Sequence, residues 1–221
     1  MRRYTPMFVT LAGFIVVGQA HLARRSNDDQ PPPSRSAEDV LRDFITCMDN
    51  HEWSRIPSYW IRELRPDLEA FLTNPDNQAS AAGIFNIERA RLFELKQLPD
   101  QTGSAYADLR LYQDKVVQVF YLGIDFKVRQ EDKYHYNGVN YRIAALMQEE
   151  GEWRWLEFSS APVENLVADQ QGFGSIHEEI ALKIHKMRRK GLFVNPFGKV
   201  LEDVRPGSQN NQSQQLDSER N

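Results

Sequence analysis

Cysteine is nearly absent: Cys47 is alone among 221 residues, which excludes an internal disulfide and a thiolate metal cluster. It lies three residues after Phe44 on an expected helix, where it reads as a small buried hydrophobe. Basic charge is not in excess either. The formal net charge is −4, and a mildly acidic chain lacks the electrostatic footprint of a nucleic-acid binder. No G-x-S-x-G elbow, Walker loop or dinucleotide-binding glycine pattern occurs, and there is no internal repeat. The run His177-Glu178-Glu179-Ile180-Ala181 begins like a zinc-protease motif but has Ala181 where the second ligand should stand. His177 and His185 fall about 80° apart around a helix, so neither a metal nor another cofactor is expected.

What is present begins at the N-terminus. A short basic start (Arg2, Arg3) precedes the apolar Met7–Val17, and Gly18-Gln19-Ala20 offers small residues at an A-x-A-like cleavage site. That order predicts an export signal over 1–20 and an extracytoplasmic protein, secreted or near a membrane or cell wall. Extending the stretch from Thr5 to Ala23 gives the alternative of an uncleaved anchor, although Gln19 and His21 interrupt the apolar length that a span needs. Loss of Arg2 and Arg3 would take the charge from −4 to −6. Residues 21–35, with the Gln30–Pro33 run, read as a stiff linker. Residues 205–221 are polar and read as a disordered tail.

Between these lies enough chain to bury a core. Ser36 can cap a helix through Asn50 whose apolar face is Ala37, Val40, Leu41, Phe44, Ile45 and Met48. A second helical stretch follows through Trp60, Leu64, Leu68 and Phe71, interrupted near Pro66. The periodicity then becomes extended: Ala90–Lys96, Val116–Val128, Val139–Met147 and Trp153–Ser159 read as strands, the last two joined by a turn at Gly151. Asn137-Gly138 suggests a tight turn folding Tyr134–Tyr136 back onto Val139–Tyr141. Helices first and antiparallel strands after is an α+β order. Val117, Val119 and Tyr121 make the second sheet face half apolar. The segment after Ser159 can cover it, and a second copy in a homodimer is the rival. Within that segment, Ser175 caps a helix to about Lys190, and Asn195–Gly198 is the bend of a small hairpin.

The segments VLRDFITCMDNHEWSRIPSYW and YRIAALMQEEGEWRWLEFS resemble the opening helices and the closing strands of the nuclear transport factor 2-like superfamily, the cystatin-like cone. The resemblance spans roughly residues 36–160. It implies N-terminal helices packed on a curved antiparallel sheet, with residues 161–204 as a C-terminal extension of helix and hairpin. The superfamily hosts isomerases and dehydratases as well as adaptors and exported accessory domains, so fold alone does not select an activity.

A catalytic cone places a carboxylate with a Tyr or His in its pocket. The residues to weigh are Asp125, Tyr134, His135, Tyr136 and Tyr141. Asp125 alternates with Ile124 and Phe126 and shares its face with Lys127 and Arg129, which reads as a solvated charge stripe, and His135 falls in a polar loop. With no convergent catalytic set, the expectation is a non-enzymatic binding or accessory domain of the bacterial cell envelope, taking an unidentified protein or small molecule. The alternative is an isomerase or hydro-lyase. Tyr141, Trp153 and Trp155 are the expected ligand or partner contacts near the cone mouth. Lys183, Lys186, Arg188, Arg189 and Lys190 form a candidate patch for an anionic partner, or else a solvated face complementing the helix dipole.

Overall fold

The computed structural model describes residues 35–107, 109–112 and 114–205. The segments read as signal or anchor, most of the linker, and the tail beyond 205 lie outside the described residues.

Helix α1 (Ala37–Asp49) starts where the sequence places it. Ser36 Oγ accepts from the Asp39 N–H at 3.1 Å while the Asp39 carboxylate accepts from the Ser36 N–H at 3.3 Å. This reciprocal cap satisfies two donors that a helix start otherwise leaves unpaired. The buried face is Ala37, Val40, Leu41, Phe44, Ile45, Cys47 and Met48.

The second helical stretch is three short helices, α2 (Ile56–Tyr59), α3 (Arg65–Thr73) and α4 (Pro75–Ala79). Each carries a proline in its first turn. Proline has no N–H to extend a helix already running but suits the start of a new one. Between α2 and α3 the chain is extended at Trp60 and Ile61, before a 3-10 turn at Arg62–Leu64, and Ile61 N–H donates to Trp155 O at 3.0 Å.

Strands β1 (Ile87–Gln97), β2 (Val117–Val128), β3 (Gly138–Glu149) and β4 (Glu152–Ser160) form one antiparallel sheet in the order β1-β2-β3-β4. The β3–β4 turn is two residues long, with Glu150 and Gly151 both at positive φ (52° and 80°), the twist-matched geometry for a tight hairpin. Helix α5 (Asp100–Tyr106) lies in the β1–β2 connection, a helix the sequence reading lacked. It packs so close that a Cβ on Gly103 would meet Val119 Cβ at 2.8 Å.

After β4 come α6 (Val163–Ala168), α7 (Ile176–Arg189) and a separate hairpin of β5 (Leu192–Val194) with β6 (Val200–Asp203). Asn195 Oδ1 accepts from the N–H groups of Phe197 and Lys199, both at 2.9 Å, and so ties the hairpin bend.

The sheet is buried on both faces. On one, Phe120, Leu122, Ile124, Phe126, Ala144, Leu146, Trp153 and Trp155 join the apolar face of α1 and Ile56, Tyr59 and Trp60. On the other, Val119, Tyr121, Val139, Tyr141, Ile143 and Ala145 pack beneath Ala107, Ala161, Val163, Leu166 and Ala181. The C-terminal segment thus supplies much of the second cover. Ile176, the first residue of α7, takes no part and is 62% exposed. The architecture is α+β: helices on a four-stranded antiparallel sheet, plus a two-stranded one.

One expectation fails. Residues Tyr134–Tyr136 are not a strand; β2 pairs directly with β3 from Phe126 opposite Gly138. Asp132 Oδ1 accepts from the N–H groups of Tyr134 and His135, both at 2.7 Å, and Asn137 Oδ1 accepts from the Val128 N–H at 2.9 Å. Side-chain acceptors have taken the donors that a strand would use.

Phe44 is central to the first layer, its ring 4.3 Å from Trp155, 5.5 Å from Tyr59 and 6.0 Å from Phe158. Phe44→Ala should lower the unfolding free energy by about 3–5 kcal/mol. Urea denaturation of both proteins measures this, and a loss below about 1 kcal/mol would show that the layer collapses into the space.

Candidate functional site

The expected mouth residues lie inside the molecule. Trp153 and Trp155 point from β4 into the α1 layer at 4% and 0% exposure, where alternation places them with Phe44 and Trp60. They fill the core and line no mouth. Tyr141, from the opposite face of β3, donates to Glu94 Oε2 at 2.7 Å and lies 3.2 Å from Ser175 Oγ.

Tyr134 and Tyr136 meet Tyr141 around one small cavity, but the charged candidates are scattered. Asp125 accepts from Arg89 Nη2 at 2.7 Å at the surface, while Lys127 pairs with Glu88. Such exposed pairs contribute little to stability. His135 is part-buried, its Nδ1 3.5 Å from Asp132 Oδ1. The basic patch also divides. Lys183, Lys186 and Lys190 are exposed, but Arg189 pairs with Glu164 at 2.6 Å and Arg188 turns inward to Lys133 O and the Phe193 ring. The five side chains therefore do not present one surface.

Two polar clusters do form around the C-terminal cover. In the first, Tyr121 donates to Glu178 Oε1 at 2.9 Å, and Glu178 Oε2 accepts from the Gly174 N–H at 2.8 Å. Lys96 Nζ donates to the carbonyls of Gln171 and Gly172 at 3.0 and 2.6 Å. Phe173, held between, stacks on Tyr121 at 4.7 Å. Burial, and then the Glu178 carboxylate, raise the Tyr121 phenol far above its usual pKa; burial also raises Tyr141. Phenols so hard to ionise serve here as hydrogen-bond donors. The cluster carries a carboxylate beside tyrosines, the combination sought in an enzyme, but both Glu178 oxygens are satisfied and packed over.

The second cluster surrounds a cavity of about 10 Å³ lined by Tyr134, Tyr136, Asn140, Tyr141, Arg142, Ser160, Ala181, His185 and Arg188. Arg142 is 8% exposed, donating to Ser160 Oγ at 2.6 Å and Tyr134 O at 2.9 Å. Its guanidinium lies 5.9 Å from the Phe126 ring and 6.0 Å from that of Phe158. Burial, with Arg188 adding a smaller push, lowers its pKa to about 10, so it stays charged at neutral pH. Two polar atoms at this site are buried without partners: Asn140 Oδ1 and Arg188 Nε. Among the described residues no group of His, Cys, Asp and Glu could hold a metal.

Sequence reasoning missed Arg142 and Asn140. The signal was there: both share their strand face with Ala144 and Leu146, facing the most apolar layer, and a charge at such a position needs a reason. His185 was weighed only as a metal ligand.

No protein-family model, no curated protein and no solved structure matches this chain.

His185 gives the site a pH signature. Burial first, then Arg188, Arg142 and Arg189 against the opposing pull of Glu164, lower its pKa from 6.5 to about 4. A histidine that stays neutral when folded but protonates when unfolded contributes stability that is whole above its unfolded pKa. That stability is lost as pH falls from 6.5 toward about 4. Going from about pH 7 to about pH 5 should cost the wild type about 1–2 kcal/mol more than His185→Gln. Urea melts at the two pH values test this, and equal losses in both proteins would refute it.

Proposed function

We propose that this chain is an exported, non-enzymatic binding or accessory domain of the cell envelope, built as an NTF2-like cone whose interior is filled. The observation that carries the reading is the packing of Phe44, Trp60, Trp155 and Phe158 against one another in the α1 layer, with ring centroids 4.3–6.5 Å apart. A catalytic cone needs that interior open, with an ionisable group aimed into it. Here interlocked rings fill the layer. Its one acid–tyrosine pair among the described residues, Tyr59 with Asp43 at 2.8 Å, lies at the rim where Asp43 also meets Arg35 and Arg55, and the Tyr121–Glu178 pair is packed under the C-terminal segment. The basic start, short apolar run and small-residue site of the first twenty residues support export. Among the described residues no helix is long and apolar enough to cross a membrane.

Two measurements test the two halves of this proposal. Intact mass of protein recovered from the native host should give an N-terminus at His21, whereas Met1 retained in washed membranes would replace the signal with an anchor. Purified protein should show no turnover above the buffer rate on a panel of small isomerase and hydro-lyase substrates. Turnover that Glu178→Gln abolishes while leaving the melting temperature unchanged would establish the enzyme instead.

A further inference from the structure

We propose that the cavity between Arg142 and Arg188 is a binding site for a small monatomic anion of the halide class, chloride being the abundant candidate. This stands apart from the reading of the chain as an exported binding domain and rests on the cavity alone.

Charge carries the argument. Arg142 and Arg188 both line the cavity, and among the described residues neither forms an ion pair with a carboxylate. The nearby acids are engaged elsewhere: Asp132 with the His135 ring and two backbone N–H groups, Glu164 with Arg189, Glu202 with Lys133. Arg142 is almost wholly buried and feels the Asp132 carboxylate only from beyond ion-pair distance, and a buried charge without an ion-pair partner is among the costliest features a fold can keep. This buried cation and the half-buried Arg188 around one void, with a neutral histidine beside them, make a local field that favours a negative occupant.

Size and donors then narrow the class. A void of about 10 Å³ holds about one water-sized species, which excludes a phosphate or a carboxylate-bearing ligand. Arg188 Nε–H points its hydrogen at no partner, and Arg142 keeps three of its five guanidinium N–H donors beyond its bonds to Ser160 and Tyr134. A single water is the rival occupant. It could answer both Arg188 Nε and the unpaired acceptor Asn140 Oδ1, but would leave the buried Arg142 without an ion-pair partner. An uncompensated buried charge outweighs one unmet neutral hydrogen bond, so the anion is favoured.

The test uses the whole chain. Crystals soaked in sodium bromide should show an anomalous peak within hydrogen-bonding distance of Arg142 and Arg188. In solution, sodium chloride should raise the melting temperature saturably above sodium gluconate at matched ionic strength, since gluconate is too large to enter. Arg188→Gln, chosen because the more buried Arg142 is at greater risk of misfolding on substitution, should melt cooperatively and lose the chloride-specific rise. A water-like density with no bromide signal, or equal melting temperatures in the two salts, would overturn the proposal in favour of a structural water.

Discussion

Strands β2 and β3 are buried on both faces, and the rest of the structure follows from that constraint. From Val139 to Met147 every residue of β3 is buried, as is nearly all of β2 from Val119 to Phe126. A strand pair so placed cannot offer one face to water, as a simple antiparallel sheet does. It needs a layer on each side, and the chain provides them from its two ends: α1 and its short successors before the sheet, α6 and α7 after it.

The two layers differ in chemistry. The first is apolar and aromatic, built from rings that interlock around Phe44. The second is mixed, and its polar groups arrive already paired: Tyr121 with Glu178, Tyr141 with Glu94, Lys96 with the carbonyls that hold Phe173. The first and last of these tie the late segment to the sheet at defined points, as does Ser175 Oγ at 3.2 Å from the Tyr141 hydroxyl, so the cover is specified in register as well as by apolar area. Arg142 is the exception in this scheme. It is a charge within β3, opposite Leu122 of β2 and the last residue of β4, whose bonds to Ser160 and Tyr134 satisfy part of its guanidinium and none of its charge.

Local signals were legible in the sequence wherever one short segment carried them whole. The Ser36 cap, the α1 face, the four main strands, the Gly151 turn and the Ser175 cap all depend on residues within a few positions of one another. What escaped depends on partners distant in the chain. Trp153 and Trp155 share a face, as expected, but which side that face meets is set by α1, more than a hundred residues away. The strand expected at Tyr134–Tyr136 was displaced by Asp132 and Asn137, whose side chains captured the backbone donors. The basic run on α7 read as one patch because its outlets, Glu164 and Lys133 O, lie on other elements. Arg142 was visible as a charge on an apolar face, but its meaning depends on Arg188, His185 and Asn140 meeting around one void.

The most direct test of the two-layer account is thermal unfolding, followed by circular dichroism, of a chain that ends at Ser160. Removing the C-terminal cover uncovers Val139, Tyr141 and Ile143 and strands Tyr121 without Glu178, so the truncated chain should lose several kcal/mol and melt without cooperativity or not fold. A cooperative transition at the full-length melting temperature would contradict the account, because the sheet would then be stable with one face bare.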